Sequence, residues 1–236
     1  MSRAFEELDH QTTPMGEISL RRRLEPVLQI DVWEVKLDDE FLMSSMFTAT
    51  EEAVGRLGMA ATSGDDLTVV VGGLGLGYTA WAALEDERIR SLYVIEALPQ
   101  VIGWHCDDLV PLGSTLTSEP RCHLVEGDFF AMVEAGIAFD DGTTAPFDAI
   151  LVDIDHTPSH HLDTGHESFY GPSGLRRIAD QLVRGGVFAL WSDDPPDDRV
   201  VATMREVFAD VRTEVVTFPN HYTRAESACT VYLATT

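Results

Sequence analysis

The chain has 236 residues, of which 44% are hydrophobic, enough to build one main core and a small appendage. Its formal net charge of -24, from 40 acidic and 16 basic residues, disfavours binding to nucleic acid or to an anionic membrane surface. A cationic small molecule is compatible with this charge, although paired surface acids ordinarily serve solubility. The 3 cysteines are too few and too dispersed for a disulfide framework or a zinc cluster.

The sequence shows no membrane span and no signal segment. No apolar run approaches the roughly 18 residues that a membrane helix needs. The first residues, which include Glu6 and Glu7, lack the apolar core of a signal peptide. We therefore expect a cytoplasmic protein.

The first part of the chain predicts a small antiparallel sheet. Apolar and polar residues partly alternate over 17–23, 31–37 and 40–44, which is typical of strands with one buried face. So small a sheet leaves strand edges and an apolar face in need of cover, and we expect a homodimer. We assign residues 1–46 to this tail and sheet, and residues 47–236 to a second domain.

The second domain is predicted to be α/β, with a doubly wound, Rossmann-like and mostly parallel sheet. Thr48 and Glu51 match a capping box, so a helix is predicted from about 49 to 60. Strands and helices then alternate. The predicted strands are 67–71, 91–95, 121–125, 147–152 and 187–191, and the predicted helices are 78–85, 99–107, 129–135, 172–184 and 198–208. Two further runs, 211–218 and 229–234, have no helix between them and predict an antiparallel ending.

A glycine-rich loop follows the first strand of this domain. The apolar run from Leu67 to Val71 stops at Gly72, and glycines after a buried strand let the backbone approach a ligand at the start of the next helix. We assign three of them to cofactor binding: Gly73, Gly75 and Gly77. Glu96 ends the next strand about twenty residues later, where an acid accepts hydrogen bonds from ribose hydroxyls.

Acidic residues also follow the third and fourth strands, whose carboxyl ends meet at the same edge of the sheet. Asp128 is placed to accept a hydrogen bond from an adenine amino group while Phe129 packs on the ring; it is equally placed to cap the helix that begins there. Asp153 ends the fourth strand and is predicted to face the reacting group. Asp155 and His156 follow it, and an imidazole works as a general base near neutral pH. These last three residues are our catalytic candidates.

The loop after Asp153 holds three more histidines, for which a surface role and a functional role are equally open: His160, His161 and His166. A magnesium ion between Asp153 and the pair Asp193 and Asp194 is an alternative. The prolines that follow this pair fit a simple turn as well, and we assign no metal site.

The order of these motifs resembles class I S-adenosylmethionine-dependent methyltransferases, and among them the spermidine synthase-like aminopropyltransferases and their relatives. The resemblance spans about residues 30 to 235 and rests on the motifs 69–75, 94–96, 125–128 and 147–153, on the loop that leads to 168–170, and on 182–188. It implies that the cofactor is S-adenosylmethionine or its decarboxylated form. It also implies that the small N-terminal sheet is a reduced version of that group's N-terminal domain.

Several positions depart from the aminopropyltransferase pattern. Leu74 stands where that group usually has a loop aspartate that holds the donor's amine, and His156 replaces the second acid of an Asp-x-x-Asp motif. If Glu51 and Glu52 align with the group's acid pair, Met46 and Gly55 replace a glutamine and a tyrosine. Each change removes a polar partner of a cationic amine chain.

These departures favour a methyltransferase, or a related alkyl transferase, that uses S-adenosylmethionine and acts on a small-molecule acceptor, with amines among the candidates. The first alternative is a polyamine aminopropyltransferase that uses decarboxylated S-adenosylmethionine, and the second is a non-catalytic scaffold that binds an adenosyl ligand. Because Leu74 removes the anionic partner of the donor amine, we expect S-adenosylmethionine to bind better than its decarboxylated form. A nicotinamide-dependent oxidoreductase fits less well, because Asp128 and the antiparallel ending depart from the dinucleotide-binding pattern.

Overall fold

The protein is described here by a computed structural model, which covers residues 5–160, 162 and 164–236. It is a mixed α/β fold with one four-stranded sheet and one seven-stranded sheet. The larger sheet is mostly parallel and carries one antiparallel strand near the C-terminus. The predicted fold class is therefore confirmed.

The four-stranded N-terminal sheet is fully antiparallel, in the order β1-β2-β3-β4. Its strands are β1 (Phe5–Thr13), β2 (Gly16–Glu25), β3 (Ile30–Leu37) and β4 (Glu40–Ser44). The sequence did not predict β1, because its residues are largely polar and show no alternation. This segment is a strand because it pairs with β2. The sheet buries apolar residues such as Ile18, Leu20 and Val35 in the same core cluster as the helices beneath it.

The seven-stranded sheet has the order β10-β11-β9-β8-β5-β6-β7. Its strands are β5 (Leu67–Gly72), β6 (Ile89–Glu96), β7 (Cys122–Glu126), β8 (Phe147–Val152), β9 (Leu182–Ser192), β10 (Asp210–Asn220) and β11 (Ala225–Thr235). Pairing is parallel from β7 through to β9, and β11 then runs antiparallel between β9 and β10. The carboxyl ends of the five parallel strands therefore share one edge.

Helices cover both faces of this sheet. They are α1 (Ala49–Ala61), α2 (Tyr78–Leu84), α3 (Pro99–Cys106), α4 (Gly113–Thr117), α5 (Phe129–Ala135), α6 (Pro172–Asp180) and α7 (Asp198–Arg205). Because side chains alternate along a strand, Val69 and Val71 belong to one core cluster and Val70 to the other. None of the helices in the described part of the chain is long and apolar enough to cross a membrane.

The structure differs locally from the sequence prediction at two predicted features and in one further helix. The helix predicted at 172–184 ends at Asp180, because Leu182 already pairs with Phe147 at the start of β9. The short helix α4 was not predicted. The capping box at the start of α1 does not form: the Thr48 hydroxyl donates to the Glu52 carboxylate at 2.8 Å instead of accepting from a helix N–H.

Candidate active site

Two adjoining cavities open at the carboxyl edge of the parallel strands. The large cavity has a volume of about 590 Å³, and the small cavity has a volume of about 90 Å³. They share six lining residues: Leu42, Met43, Gly75, Asp153, Ile154 and Leu162. The site is therefore one crevice with a roomy end and a narrow end.

The glycine loop lies at the junction of the two cavities. Gly73 and Gly75 line the large cavity, and Gly75 and Gly77 line the small one. Gly73 has a φ of +94°, and a Cβ atom there would collide with the carbonyl oxygen of Asp153. Only glycine lets β5 and β8 end side by side at this point.

Glu96 ends β6 on the wall of the large cavity. Its carboxylate accepts hydrogen bonds from the backbone N–H groups of Leu74 at 3.1 Å and Leu98 at 2.9 Å. Burial raises the pKa of Glu96, and these N–H groups oppose the shift. The acid that we predict at the ribose thus also organises the glycine loop.

Asp128 and Phe129 lie at the start of α5 and line the same cavity. The Asp128 carboxylate accepts from the Ala131 N–H at 3.1 Å, so its predicted role as a helix cap is confirmed. Phe129 is 2% exposed and packs under Gly72. The contact of Asp128 with adenine stays a prediction.

Asp153 lines both cavities, at the end of β8. One carboxylate oxygen accepts from the Thr79 hydroxyl at 2.6 Å. Burial raises the pKa of Asp153 to about 6, and the Thr79 hydroxyl opposes the shift. The structure therefore places this catalytic candidate at the junction of the two cavities.

Glu51 lies in the first turn of α1 and lines the small cavity beside Asp153. Burial, followed by the nearby charges of Asp153, Glu52 and Asp193, raises the pKa of Glu51 to about 8. The described lining of the small cavity contains no lysine or arginine. The sequence analysis did not assign Glu51 to the site; its only signal was the alignment with the acid pair of aminopropyltransferases.

Tyr78 and Trp191 also line the small cavity. Burial and the charges of Glu52 and Glu51 raise the pKa of Tyr78 to about 12. The indole nitrogen of Trp191 is buried and has no hydrogen-bond partner among the described residues. An acceptor in this cavity would thus meet carboxyl groups and an unused N–H donor.

His156 is half-buried on the wall of the small cavity. Its carbonyl oxygen accepts from the Asp193 N–H at 2.8 Å, which ties the start of the loop to the end of β9. His156 and Asp153 thus line the same small cavity, and the role of His156 as a base stays a prediction.

Asp155 differs from its neighbours, because its side chain is 0% exposed and lines neither cavity. Its carboxylate accepts from the Leu162 N–H at 2.7 Å and from the Tyr170 hydroxyl at 2.8 Å, and lies 3.0 Å from Nδ1 of His166. The catalytic role assigned to Asp155 stays a prediction, and in the structure its carboxylate faces the loop rather than either cavity. It holds together the loop that it begins.

The other histidines of the loop, and the acids considered as metal ligands, do not lie together. His166 lines the large cavity, His160 is exposed, and His161 lies outside the described residues. Asp193 accepts from the Cys229 thiol at 3.2 Å. Within the described residues, no group of three or more candidate ligands is arranged to hold a metal ion.

The N-terminal sheet contributes an apolar wall to the site. Met15, Leu37, Leu42 and Met43 line the large cavity, and Ser44 lines the small one. The sheet is fastened to α3 and the segment that follows: Trp33 Nε1 donates to the Leu109 carbonyl at 2.9 Å, and Trp104 Nε1 donates to Asp9 at 2.7 Å. The sequence analysis predicted the sheet but not this contribution.

Comparison with known proteins identifies the fold. No family model matches the chain, and no curated protein sequence matches it. The structure of spermidine synthase from Thermotoga maritima matches with a TM-score of 0.73 and 18% identity, covering 97% of this chain and 72% of that one. A spermidine synthase in complex with the transition state analogue AdoDATO matches with a TM-score of 0.75 and 18% identity, covering 97% and 73%. The chain thus has a spermidine synthase-like form of the class I methyltransferase fold, as the motifs suggested.

Proposed function

We propose that the protein transfers an aminopropyl group from decarboxylated S-adenosylmethionine to a small amine. The observation that carries this proposal is the pair of carboxyl groups, Glu51 and Asp153, in a cavity that joins the larger one. The fold shared with spermidine synthases, one of them bound to AdoDATO, supports it. The proposal takes the aminopropyltransferase alternative in place of the methyltransferase that the sequence departures favoured.

The large cavity suits the adenosine half of the donor. Apolar and aromatic side chains form most of its wall, and the polar groups among them include Glu96 and Asp128, an arrangement common in nucleoside sites. With the ribose at Glu96 and the base at Asp128, the sulfonium group would come to the junction of the cavities near Gly75 and Asp153.

The charges at that junction favour a donor that carries an amine rather than an amino acid end. A carboxylate there would face Asp153 and Glu51 with no cation in the described lining of the small cavity. Arg177 lines the large cavity but pairs with Glu134 at 2.8 Å. The ammonium group of the decarboxylated donor would instead meet opposite charge, which offsets the loss of the loop aspartate at Leu74.

The chemistry requires a neutral acceptor amine in line with the sulfonium carbon. The amine nitrogen forms a bond to that carbon of the aminopropyl group, the carbon–sulfur bond breaks, and its electron pair stays on sulfur as methylthioadenosine leaves. The proton lost by the amine passes to a carboxylate, for which Asp153 is best placed, with His156 on the same wall. Positioning of this kind can supply several kcal/mol of the rate enhancement.

A methyltransferase remains the second candidate. The observation that favours it is Leu74, whose side chain is 4% exposed and offers no charge to a donor amine. The same adenosine site would then hold intact S-adenosylmethionine.

Calorimetry with the two donors tests the proposal. We expect wild-type protein to bind the decarboxylated donor at least tenfold more tightly than S-adenosylmethionine, a difference of about 1.4 kcal/mol. Glu51→Gln should reduce this preference. Glu52→Gln is the matched control, because Glu52 lies on the same helix but bonds to Arg56 and Thr48.

Two outcomes would overturn the proposal. Equal or tighter binding of S-adenosylmethionine would favour the methyltransferase. Failure of folded protein to bind either donor or methylthioadenosine would remove the adenosyl site altogether.

A further inference from the structure

His166 and Phe130 together form one face of the large cavity. Both line it, and their rings stack with centroids 3.8 Å apart and planes inclined by 24°. The His166 side chain is 16% exposed. The imidazole is therefore held flat against the wall of the proposed adenosine site.

Asp155 determines which ring nitrogen of His166 carries the proton and which can accept a hydrogen bond. Its buried carboxylate lies 3.0 and 3.1 Å from Nδ1 of His166 and also accepts from Leu162 and Tyr170. A carboxylate only accepts hydrogen bonds, so Nδ1 carries the proton in this pair. In the neutral ring Nε2 is then an acceptor, and no described residue bonds to it.

His166 lies apart from the small cavity, where the proposed acceptor would bind. It lines the large cavity, whereas Glu51 and Trp191 line only the small cavity, and its ring stacks on Phe130, two residues after Asp128 in the chain. A histidine paired with a buried carboxylate often serves as a base. The position of this ring near the residue assigned to the purine favours recognition of the donor instead.

We propose that Nε2 of His166 accepts a hydrogen bond from the exocyclic amino group of the donor's purine base, which makes His166 a residue that selects 6-aminopurines. This inference rests on the proposed function. The amino group has two N–H bonds. Asp128 uses one carboxylate oxygen to cap α5 and keeps the other for the first N–H, and His166 takes the second.

A 6-oxopurine has no N–H at this position and presents an oxygen to two acceptors. Wild-type protein should therefore bind methylthioadenosine more tightly than its 6-oxo analogue, methylthioinosine. Since one hydrogen bond is worth about 0.5–1.5 kcal/mol, His166→Phe should reduce this preference about 3- to 10-fold while keeping the stack on Phe130. His166→Gln, whose amide oxygen also accepts, should restore part of it.

The test is titration calorimetry with these two nucleosides on wild-type protein and on both variants. His160→Phe is the matched control, because His160 lies in the same loop and is exposed. Asp155→Asn is a further check on the positioning role: its amide can donate to Nδ1, which moves the proton to Nε2 and should diminish the preference for the amino compound.

The outcomes distinguish this inference from the proposed function. An unchanged preference in both folded His166 variants, with methylthioadenosine still bound, would overturn the role of His166 and leave the adenosyl site standing. A reduced preference in His166→Phe that returns in His166→Gln would support it. If wild-type protein binds neither nucleoside, the proposed function fails, and this inference fails with it.

Discussion

The acidic residues of the two cavities differ in their hydrogen-bond partners. In the large cavity, Glu96 accepts two backbone N–H groups and Asp128 accepts a helix N–H. In the small cavity, the Thr79 hydroxyl is the hydrogen-bond donor that the described residues offer to Asp153, and Glu51 faces further carboxyl groups. The first arrangement suits fixed recognition of a neutral nucleoside. The second leaves two carboxyl groups without a cationic partner, and a bound ammonium group would favour their charged forms.

Replacing the acid at the junction should have the largest effect. Asp153→Asn keeps the shape but removes the proposed proton acceptor, so we expect turnover to fall about 10³-fold, within the range typical of general acid–base catalysis. Steady-state kinetics with decarboxylated S-adenosylmethionine and candidate amines would measure it. Asp194→Asn, at an exposed acid that follows β9 and lines neither cavity, is the control. A near-normal rate in Asp153→Asn would mean that Asp153 is not the proton acceptor.

His156 tests whether the small cavity holds a second base. His156→Gln should lower turnover about 10²-fold with little change in donor affinity. The loss should shrink as pH rises, because the acceptor then deprotonates without help. His160→Gln controls for the loop. A wild-type pH–rate profile in His156→Gln would leave Asp153 and Glu51 as the candidate bases.

Glu96 tests recognition in the large cavity. Glu96→Ala leaves the N–H groups of Leu74 and Leu98 without their acceptor and removes the proposed ribose partner. We expect affinity for methylthioadenosine to fall by about 1–3 kcal/mol. Glu126→Ala is the matched control, since Glu126 is exposed and pairs with Glu96 in the sheet. Unchanged calorimetric affinity in folded Glu96→Ala would remove Glu96 from the site.

Substitution of Glu51 should have the smallest of these effects, and it changes the stability of the folded protein. Its carboxyl group has an ordinary pKa of 4.5, raised to about 8 in the folded protein, so the folded state holds the proton more tightly than the unfolded state does. Loss of this proton therefore lowers the free energy of unfolding as pH rises from about 4.5 to 8. Glu51→Gln removes this effect, and we expect the free energy of unfolding at pH 8.5 to rise by about 1–2 kcal/mol.

Urea unfolding of wild-type, Glu51→Gln and Glu52→Gln proteins at pH 5 and pH 8.5 would check this expectation. The gain should be confined to Glu51→Gln and to the higher pH. Equal stability of wild-type protein and Glu51→Gln at both values would mean that the small cavity does not disfavour the Glu51 carboxylate.

Local signals predicted the parts of the site that lie along one stretch of chain. The apolar run before Gly72 and the acid at Glu96 each mark the end of a strand, and strand ends in a parallel sheet meet by topology. The helix cap at Asp128 likewise depends on its immediate neighbours. For these elements the sequence pattern and the structure agree.

Other parts depend on contacts between distant segments. Glu51 meets Asp153 only because α1 packs against the sheet. Asp155 and His156 are adjacent in a loop, so no period of two or 3.6 residues says which one faces the cavity. Asp155 turns inward because Leu162, His166 and Tyr170 return to it.

Because the N-terminal sheet supplies an apolar wall of the site, ligand affinity depends on the docking of a segment that contributes none of the proposed proton acceptors. If that sheet detached in a fraction of molecules, those molecules would lose Met15, Leu37, Leu42 and Met43 from the large cavity. The apparent dissociation constant rises in inverse proportion to the fraction that remains competent. Weakening the Trp104–Asp9 hydrogen bond would then mimic an active-site mutation, although both residues lie outside the two cavities. The predicted domain boundary at residues 46 and 47 would divide a single binding site between two segments.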